Sequence, residues 1–324
     1  MTIDTVVFQL PNSLSVDHLK SEGFVLVTKE INVNETKRRL YMNTAIEGIP
    51  LSFTYYPQNP GYPTPMFLIT LSPPNLLYGH NAIMLRSESE IHKAISKANK
   101  LLNTYFPWLS PINVAELVLQ RLDLCYDHQV GHNVQDYLRI LQGRTMHRRK
   151  TFPYVQRDFP ERIKLEGVEY RTMSGQNKSM FYDKYLECRH ESAKGILRQE
   201  RKLYGPSYIA ACLGIIEPPT LMHITLDRVA WLLESDLQKL GMKDTLIIDM
   251  KTAYKILIEK YGFTKAKLLI GYLTLRQIMT REQMIEDGAG VRAIQDNEKL
   301  IKDVSVCSTL SDENVTLPPL EIKY

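Results

Sequence analysis

A tyrosine and a lysine two residues apart have the chemistry of a nucleophilic site. Tyr182 and Lys184 lie in the segment Ser179–Glu187, which follows a turn at residues 174–178 and is predicted as a strand. Alternate residues of a strand share a face, so the phenol and the ammonium group are expected side by side. A phenol with the ordinary pKa of about 10 attacks a phosphate poorly unless a cation lies beside it. The alternative is a half-buried strand tyrosine whose neighbouring lysine only reaches solvent.

Carboxylates alternate with an arginine in a second segment, Val118–Asp127. If this segment is a strand, Arg121, Asp123 and Asp127 lie on one face and apolar residues lie on the other. Two carboxylates and an arginine on one face are suited to hold a divalent cation beside a phosphate. The alternative is a solvated outer face, which antiparallel sheets commonly have.

The segment Ile196–Lys202 repeats this pattern. Arg198 and Glu200 fall on the same face of a predicted strand. This segment therefore predicts a further carboxylate and a further cation for the same site, or another solvated strand.

Positive charge is concentrated in the middle of the chain, although the net charge is only +4. Residues 139–202 contain 16 Lys and Arg against 8 Asp and Glu, which leaves 24 against 28 elsewhere. The densest point, residues 148–150, is followed by Phe152, Tyr154 and Arg157. Aromatic rings between cations are typical of a groove for single-stranded nucleic acid. A solvated loop with incidental charge is the alternative.

The elements that must position these residues are predicted from hydrophobic periodicity. Strands are expected at Thr5–Leu10, Phe24–Glu30, Met66–Leu71 and Leu117–Asp127. A capping box, Ser87-x-x-Glu90, begins one helix, and another is expected over Val134–Leu141 with Asn133 as its cap and Gly143 at its end. From Thr225 onward the pattern is helical.

We therefore expect an α+β fold, in which an antiparallel sheet with helices on one face precedes a smaller helical C-terminal domain. The stretch Pro206–Pro219, which contains several Gly and Pro residues, is the predicted boundary. The expected limits are residues 1–205 for the sheet domain, 206–305 for the helical domain and 306–324 for a tail.

Composition excludes several classes of protein. The chain has 324 residues, of which 44% are hydrophobic and 23% charged, as in ordinary globular proteins. Its four cysteines form no CxxC pair, which argues against a zinc knuckle and a disulfide framework. No run approaches the roughly 18 apolar residues of a membrane span, and the first ten residues do not make a signal peptide. We expect a cytoplasmic globular protein with no membrane partner.

Four motifs in order resemble those of the filamentous-phage gene II replication proteins and, more distantly, of the Rep proteins of small rolling-circle plasmids. These motifs are Leu77-Tyr-Gly-His-Asn81, Arg121-Leu-Asp123, Phe181-Tyr-Asp-Lys184 with Glu187, and Leu197-Arg-Gln-Glu200. They cover about 120 residues, and the basic segment falls among them. The resemblance assigns residues 1–205 to a rolling-circle replication endonuclease domain.

The resemblance implies a replication initiator that nicks one strand of phage or plasmid origin DNA. Tyr182 would form a 5′-phosphotyrosine link and leave a free 3′-OH for a host polymerase. The same chemistry would later join the displaced strand, and the sequence contains no ATP-binding GxxxxGK[ST] motif. The implied partners are double-stranded and single-stranded origin DNA, a host helicase, a single-strand binding protein and DNA polymerase in the bacterial host cytoplasm.

The resemblance also assigns roles to individual residues. Tyr182 would be the nucleophile with Lys184 beside it, and Tyr185 would be the fallback nucleophile. Mg²⁺ or Mn²⁺ would be bound by Asp123 and Glu200, with Asp127 as a third candidate. The DNA-binding candidates are Arg121, Arg198, Arg148, Arg149, Lys150, His80 and Asn81.

One departure concerns the metal. The wider rolling-circle and relaxase superfamily commonly binds its metal through a His-hydrophobic-His pair, which this sequence lacks. We therefore expect carboxylate ligands, with Asp123, Tyr182 and Glu200 converging.

Two other functions fit the same residues. The chain could be a non-cleaving origin-binding protein, or it could be a tyrosine transposase or relaxase that uses the same nucleophile on another substrate.

Overall fold

The structure is a computed structural model that describes residues 2–10, 16–23, 25–29, 38–43, 51–56, 66–85, 87–109, 112–158, 162–244, 246–279, 281–304, 306–311 and 316–323. The chain divides into two compact units, each discontinuous in sequence. The first unit comprises residues 1–127, 174–178 and 200–232, and the second comprises residues 128–173, 179–199 and 233–324.

Strands and helices alternate irregularly along the described part of the chain. The strands are β1 (Thr2–Leu10), β2 (Val25–Lys29), β3 (Arg38–Asn43), β4 (Leu51–Tyr56), β5 (Met66–Leu71), β6 (Val118–Gln129), β7 (Arg149–Asp158), β8 (Arg162–Thr172), β9 (Asn177–Asp183), β10 (Ile196–Tyr204), β11 (Leu246–Asp249), β12 (Val306–Ser311) and β13 (Thr316–Leu317). The helices are α1 (Val16–Ser21), α2 (Pro73–Tyr78), α3 (Glu88–Tyr105), α4 (Val134–Gly143), α5 (Lys184–Cys188), α6 (Pro206–Leu213), α7 (Leu226–Leu240), α8 (Met250–Tyr261), α9 (Phe263–Ile278), α10 (Arg281–Glu286) and α11 (Val291–Lys302).

The first unit is built on antiparallel strands in the order β2-β3-β4-β5-β1-β6-β10. β1 pairs with β5 on one edge and with β6 on the other, and its Val6 and Phe8 are fully buried. In the register of β1 with β6, Thr5 lies opposite Asp123 and Val7 lies opposite Arg121. The central strand therefore fixes the position of the acidic segment that the sequence singled out.

Helix α3 begins where the sequence predicts it. The side chain of Ser87 accepts a hydrogen bond from the backbone N–H of Glu90 at 3.3 Å, which satisfies one of the free amides of the first turn. The helix buries Ala94, Ala98 and Leu102, which are spaced by four residues and therefore share one face.

The second unit contains strands in the order β10-β9-β8-β7, and β7 and β8 form an antiparallel pair. Helix α4 packs against β8, where the Tyr170 hydroxyl donates a hydrogen bond to the carbonyl of Leu141. Phe181 of β9 meets the Tyr170 ring edge to face at 6.4 Å. Because side chains alternate along a strand, Gly167, Glu169 and Arg171 of β8 lie on the opposite face from Tyr170.

The C-terminal helices have their own hydrophobic core. Leu257 of α8 and Leu269 and Leu273 of α9 are fully buried, and Ile294 and Ile301 of α11 join them. A single residue, Gly262, connects α8 with α9. Its φ of 77° is the left-handed conformation that glycine adopts at little cost. The predicted helical C-terminal part is present.

Residues 306–324, expected as a tail, contribute to the second unit. β12 pairs with β11 in parallel, and β13 pairs with β11 in the antiparallel sense. Leu320 and Ile322 are buried, and the Tyr137 hydroxyl donates to the carbonyl of Pro318 at 2.6 Å. The described part of this segment is thus packed, because apolar residues too few to show a period still bury their side chains.

The α+β class predicted from the sequence, an antiparallel sheet with a helical C-terminal part, is confirmed. The predicted domain limits at residues 205 and 305 stay a prediction. Among the described helices, none has the length and apolar character required to cross a membrane.

Candidate active site

Tyr182 is the second-to-last residue of β9, and only Asp183 separates it from helix α5. The carboxylate of Asp183 accepts hydrogen bonds from the backbone N–H of Tyr185 at 3.0 Å and of Leu186 at 3.2 Å. This is an N-cap, and it makes Lys184 the first helical residue. The prediction that Lys184 continues the strand is therefore wrong, because Asp183 satisfies the free amides of a helical turn.

Lys184 nevertheless lies beside Tyr182. Its Nζ is 5.7 Å from the centroid of the Tyr182 ring, and its side chain is fully buried. The ammonium group donates a hydrogen bond to Oε2 of Glu187 at 2.6 Å, one turn further along α5. A cation held in a poorly hydrated place acts more strongly on its neighbours than one in water. The buried ammonium group of Lys184 thus lies over the Tyr182 ring and is paired with Glu187.

A second pair of a tyrosine with a lysine lies in the same unit. Nζ of Lys194 is 5.3 Å from the centroid of the Tyr185 ring and forms an ion pair with Glu191 at 2.7 Å. The side chain of Lys194 is 58% exposed. Tyr185, the fallback nucleophile, therefore also has a neighbouring cation, but a solvated one.

Gly167 on β8 supports the position of Tyr182. A Cβ atom at this glycine would lie 2.8 Å from Cβ of Tyr182 and 2.8 Å from the carbonyl oxygen of Phe181. Real Cβ atoms essentially never approach this closely, so only glycine lets β9 come so near. Gly167 and Tyr182 thus lie on the same face, opposite the face that packs on α4.

Two exposed aromatic rings lie on the same face of β7. Phe152 is opposite Glu169 and Tyr154 is opposite Gly167 in the register of β7 with β8. Phe152 is 36% exposed and Tyr154 is 37% exposed. We call Phe152, Tyr154 and Arg171 the aromatic strip.

Hydrogen bonds and stacking hold the aromatic strip in place. The Tyr154 hydroxyl donates to Oε2 of Glu169 at 3.1 Å, and Nε of Arg171 donates to Oε1 of the same carboxylate at 2.6 Å. The guanidinium carbon of Arg171 lies 4.8 Å from the centroid of the Phe152 ring. Rings fixed in this way lose little freedom when a planar group stacks on them.

The basic segment at residues 148–150 does not present three free cations. Arg148 and Lys150 are exposed, but the Arg149 side chain is only 6% exposed. Arg149 donates to the hydroxyl of Ser179 and forms an ion pair with the buried Asp236 at 3.8 Å. Arg149 therefore differs from its predicted role as a surface DNA contact, because a carboxylate distant in the sequence neutralises it. The side chain of Arg157 lies outside the described residues.

The first unit contains a network of buried charges on β6 and β10. Nε of Arg121 donates to Oδ1 of Asp123 at 2.8 Å, and Nη2 donates to Oδ2. Asp123 is 1% exposed, and burial raises the pKa of its carboxyl group against the opposing charge of Arg121. The predicted common face of Arg121 and Asp123 is thus occupied by an ion pair between the two residues themselves.

Glu200 belongs to the same network. Its carboxylate is 3.2 Å from Nζ of Lys202, and Asp4 and Asp123 are close enough to repel it. Burial, with that repulsion, raises the pKa of Glu200 to about 7. The carboxyl group therefore changes its charge near neutral pH.

Among the described residues, this network does not bring three candidate metal ligands together. Arg121 uses both oxygens of Asp123, and the described residues contain no group of three His, Cys, Asp or Glu that could hold a metal ion. Asp127, the third predicted ligand, is buried at the end of the acidic segment. A metal site formed by Asp123, Glu200 and Asp127 stays a prediction.

The remaining predicted DNA contacts are placed less favourably. Arg198 is fully buried, so its guanidinium does not face solvent. His80 and Asn81 are partly buried in the loop after α2, where Nδ1 of His80 accepts a hydrogen bond from the backbone of Ala82 at 3.2 Å. The Arg121 side chain is 31% exposed, but its guanidinium group is paired with Asp123.

Asp123 and Glu200 belong to the first unit, whereas Tyr182 and Lys184 belong to the second. The convergence of the three predicted catalytic groups therefore stays a prediction.

Several residues of these clusters escaped sequence reasoning. Gly167, Glu169 and Arg171 form part of the aromatic face, and Lys202 and Asp4 join the buried network. The alternation of Glu169 with Arg171, and of Glu200 with Lys202, is the signal in the sequence that could have indicated them.

No family model matches the sequence, and no curated protein matches it. One similar solved structure is that of the rolling circle replication initiator protein from Geobacillus stearothermophilus, at 11% sequence identity. The similarity covers 64% of this chain and 76% of that chain, with a TM-score of 0.33. At this TM-score the similarity establishes neither a shared fold nor a shared function.

Proposed function

We propose that the chain is an origin-specific DNA nickase and strand-joining initiator of rolling-circle replication that uses Tyr182 as its nucleophile. The observation that carries this proposal is the fully buried Lys184, whose Nζ lies 5.7 Å from the Tyr182 ring. The resemblance of the motif Phe181-Tyr-Asp-Lys184 to the gene II replication proteins supports the same assignment.

The proposed reaction is a transesterification. The phenol oxygen of Tyr182 attacks the phosphorus of the scissile phosphodiester, and its proton passes to solvent. The bond from phosphorus to the 3′-oxygen breaks, and the leaving oxygen takes up a proton to become a free 3′-OH. Lys184 stabilises the negative charge that develops on the phenol oxygen. The reverse attack by a 3′-OH on the phosphotyrosine joins a strand, and the covalent link conserves the energy, so no ATP is needed.

The aromatic strip supplies a path for an unpaired strand towards Tyr182. Bases stack on exposed aromatic rings irrespective of sequence, and Phe152 and Tyr154 lie on the face that also carries Gly167 and Tyr182. The exposed cations Arg148 and Lys150 lie at the start of β7 and would contact phosphates.

We propose that nicking depends on Mg²⁺ or Mn²⁺, and this dependence has to be measured. Arg121 already donates to both oxygens of Asp123, and no step of the proposed transesterification is assigned to a metal ion. A host helicase, a single-strand binding protein and a DNA polymerase are the proposed partners, since a nicked origin needs unwinding and extension.

The test is the nicking of supercoiled plasmid that carries the origin of the source replicon, with and without Mg²⁺. We expect relaxed plasmid with protein bound covalently to the 5′ end. Tyr182→Phe should abolish the covalent product while it retains origin binding in a band-shift. Tyr137→Phe is the matched control, because its hydroxyl only donates to the carbonyl of Pro318. Covalent product in the Tyr182→Phe variant would contradict the proposal.

A non-cleaving origin-binding protein is the second candidate. Two observations favour it. Tyr182 is only 6% exposed, so its hydroxyl is poorly accessible to DNA, and the carboxylate of Asp123 is already paired with Arg121. Such a protein would shift origin DNA in a gel and leave the supercoiled plasmid intact at every metal concentration.

A further inference from the structure

A cavity of about 300 Å³ lies in the first unit, between helix α3 and the start of helix α7. This volume is at the lower end of the range for sites that bind small molecules. Ile3, Leu221 and Val229 are buried and line its inner part, whereas Glu88 and His92 are exposed. The cavity is therefore open to solvent on the side of α3.

Most of the side chains that line this cavity are apolar. Ile91 and Ile95 are four residues apart on one face of α3, and Ile224 and Leu226 line the cavity where the chain enters α7. Water inside an apolar cavity finds few hydrogen-bond partners, so an apolar group that displaces it binds favourably. Since an apolar cavity of about 150 Å³ holds benzene, this one has room for roughly ten non-hydrogen atoms.

The charge at the opening of the cavity is negative. Glu88 lies in the first turn of α3, and His92 lies one turn further along the same face. Neither side chain has a hydrogen bond or an ion pair with another described residue. Among the described residues, no lysine or arginine lines the cavity. A cationic group at the opening would therefore meet a carboxylate that is available to pair with it.

We propose that this cavity binds a small apolar amine. The hydrocarbon part of the amine fills the space between α3 and α7, and its ammonium group pairs with the carboxylate of Glu88. An unprotonated nitrogen of the His92 imidazole accepts a second hydrogen bond from the ammonium group. An anion of the same shape is repelled by Glu88. None of the residues that line the cavity takes part in the proposed nicking reaction.

The experiment compares octylamine, octanol and octanoate, which share one hydrocarbon chain and differ in charge. Each compound is titrated into the full chain at low salt, and the methyl NMR signals of the isoleucines are followed. The signals of Ile91, Ile95 and Ile224 should shift and saturate, whereas that of Ile216, which is fully exposed and does not line the cavity, should not shift. Octylamine should bind about two- to fivefold more tightly than octanol, as expected for one exposed ion pair, and octanoate should bind most weakly.

Glu88→Gln tests the ion pair, and Asp227→Asn is its matched control. Asp227 is also an exposed acidic residue in the first turn of a helix, but it does not line the cavity. Glu88→Gln should make the affinities for octylamine and octanol equal without weakening the binding of octanol. Asp227→Asn should keep the preference for octylamine.

Ile95→Trp tests the cavity itself, because the larger side chain fills it. This variant should bind none of the three compounds. The methyl signal of Ile294, which lies in the C-terminal core, shows whether the variant is folded.

Any of four results would overturn the proposal. The isoleucine signals of the cavity do not shift with octylamine, or they shift without saturation. Octanol or octanoate binds the unmodified protein as tightly as octylamine does. Glu88→Gln keeps the preference for octylamine, or a folded Ile95→Trp variant still binds it. Nicking of origin DNA is a separate measurement, so failure of the nickase proposal would leave these results unchanged.

Discussion

Two tyrosines in the second unit each have a lysine close to the ring, yet the two pairs differ in burial. Nζ of Lys184 lies 5.7 Å from the Tyr182 ring, and Nζ of Lys194 lies 5.3 Å from the Tyr185 ring. Lys184 is fully buried, whereas the side chain of Lys194 is 58% exposed. The distances are similar, so the surroundings account for any difference in chemistry.

Each lysine also has a glutamate three residues away, which makes the comparison closer. Lys184 pairs with Glu187 at 2.6 Å, and Lys194 pairs with Glu191 at 2.7 Å. Water screens the exposed pair, and such pairs contribute little to stability or to the field at a neighbouring group. The buried ammonium acts through a medium of lower polarity, so its effect on a developing phenolate is larger. The burial of Lys184, more than its distance from the ring, is therefore the reason to expect Tyr182 and not Tyr185 to be the nucleophile.

The largest expected effect is a difference in nicking rate between the variants of Lys184 and Lys194. Lys184→Met should lower the rate of nicking about 10²- to 10³-fold, which is typical for the loss of one group that stabilises transition-state charge. Stability should change little, because the partner left behind, Glu187, has a side chain that is 47% exposed and can be hydrated, while methionine has a volume similar to that of lysine. Nicking kinetics on origin plasmid and thermal denaturation of the same preparations provide the two measurements.

Lys194→Met is the control for this prediction. An exposed cation of the same type beside a tyrosine ring is removed, and the nicking rate should remain within about twofold. If Lys194→Met is as slow as Lys184→Met, burial is not the deciding difference between the two pairs.

Burial also changes the pKa of a carboxyl group in the first unit, that of Glu200. The pKa of Glu200 is raised from 4.5 to about 7 by burial first and by neighbouring carboxylates. The folded state then holds a proton that the unfolded chain has lost, so stability falls as the pH rises from about 4.5 to about 7. The full effect is about 3 kcal/mol.

Glu200→Gln should remove this dependence. Urea denaturation between pH 4 and 8 should show a flatter profile for the variant and higher stability than the unmodified protein above pH 7. Glu191→Gln, at a side chain that is 76% exposed, should leave the profile unchanged. An unmodified protein whose stability rises between pH 4.5 and 7 would count against a protonated Glu200.

Gly167→Ala tests how precisely Tyr182 must be held. The added methyl group would lie 2.8 Å from Cβ of Tyr182, so β8 and β9 must move apart. We expect a loss of about 1–3 kcal/mol in the free energy of unfolding, as for other overpacked sites. Nicking should fall further than the increase in unfolded protein accounts for. Gly271→Ala, inside helix α9 with nothing within 4 Å of the added methyl group, should leave nicking unchanged and raise stability by about 0.5–1 kcal/mol. Equal nicking rates for the two variants would show that the close approach is unimportant.

The smallest expected effect concerns the basic segment. Arg148 and Lys150 are exposed and Arg149 is not, so replacing the first two by Ala should reduce the slope of log K against log salt by about 1.4–1.8. Binding of labelled origin DNA at several salt concentrations measures this slope. The triple variant that also carries Arg149→Ala should have the same slope as the double variant, although the third substitution should destabilise the fold. A further decrease in slope would mean that Arg149 reaches the DNA.

Local patterns in the sequence predicted much of the fold. The strand Met66–Leu71 and the start of α3 at Ser87 appear as expected, because alternation and capping are local properties. The start of α5 at Lys184 was missed, because a cap at Asp183 interrupts an apolar run that otherwise has the pattern of a strand.

The site depended on contacts that no local pattern contains. The burial of Arg149 requires Asp236, which is distant in the sequence. The need for Gly167 arises only where the backbone of β9 approaches β8. The pairing of Arg121 with Asp123 was within reach, since both were placed on one face, but the sequence did not show that they satisfy each other.

The central claim is that Tyr182 is the residue that becomes linked to DNA. The direct measurement is mass spectrometry of the covalent adduct formed on origin plasmid, after nuclease and protease digestion, to locate the modified residue. We predict a nucleotide attached to Tyr182 and an unmodified Tyr185. A nucleotide attached to Tyr185, or relaxed plasmid with no covalent adduct, would contradict this account.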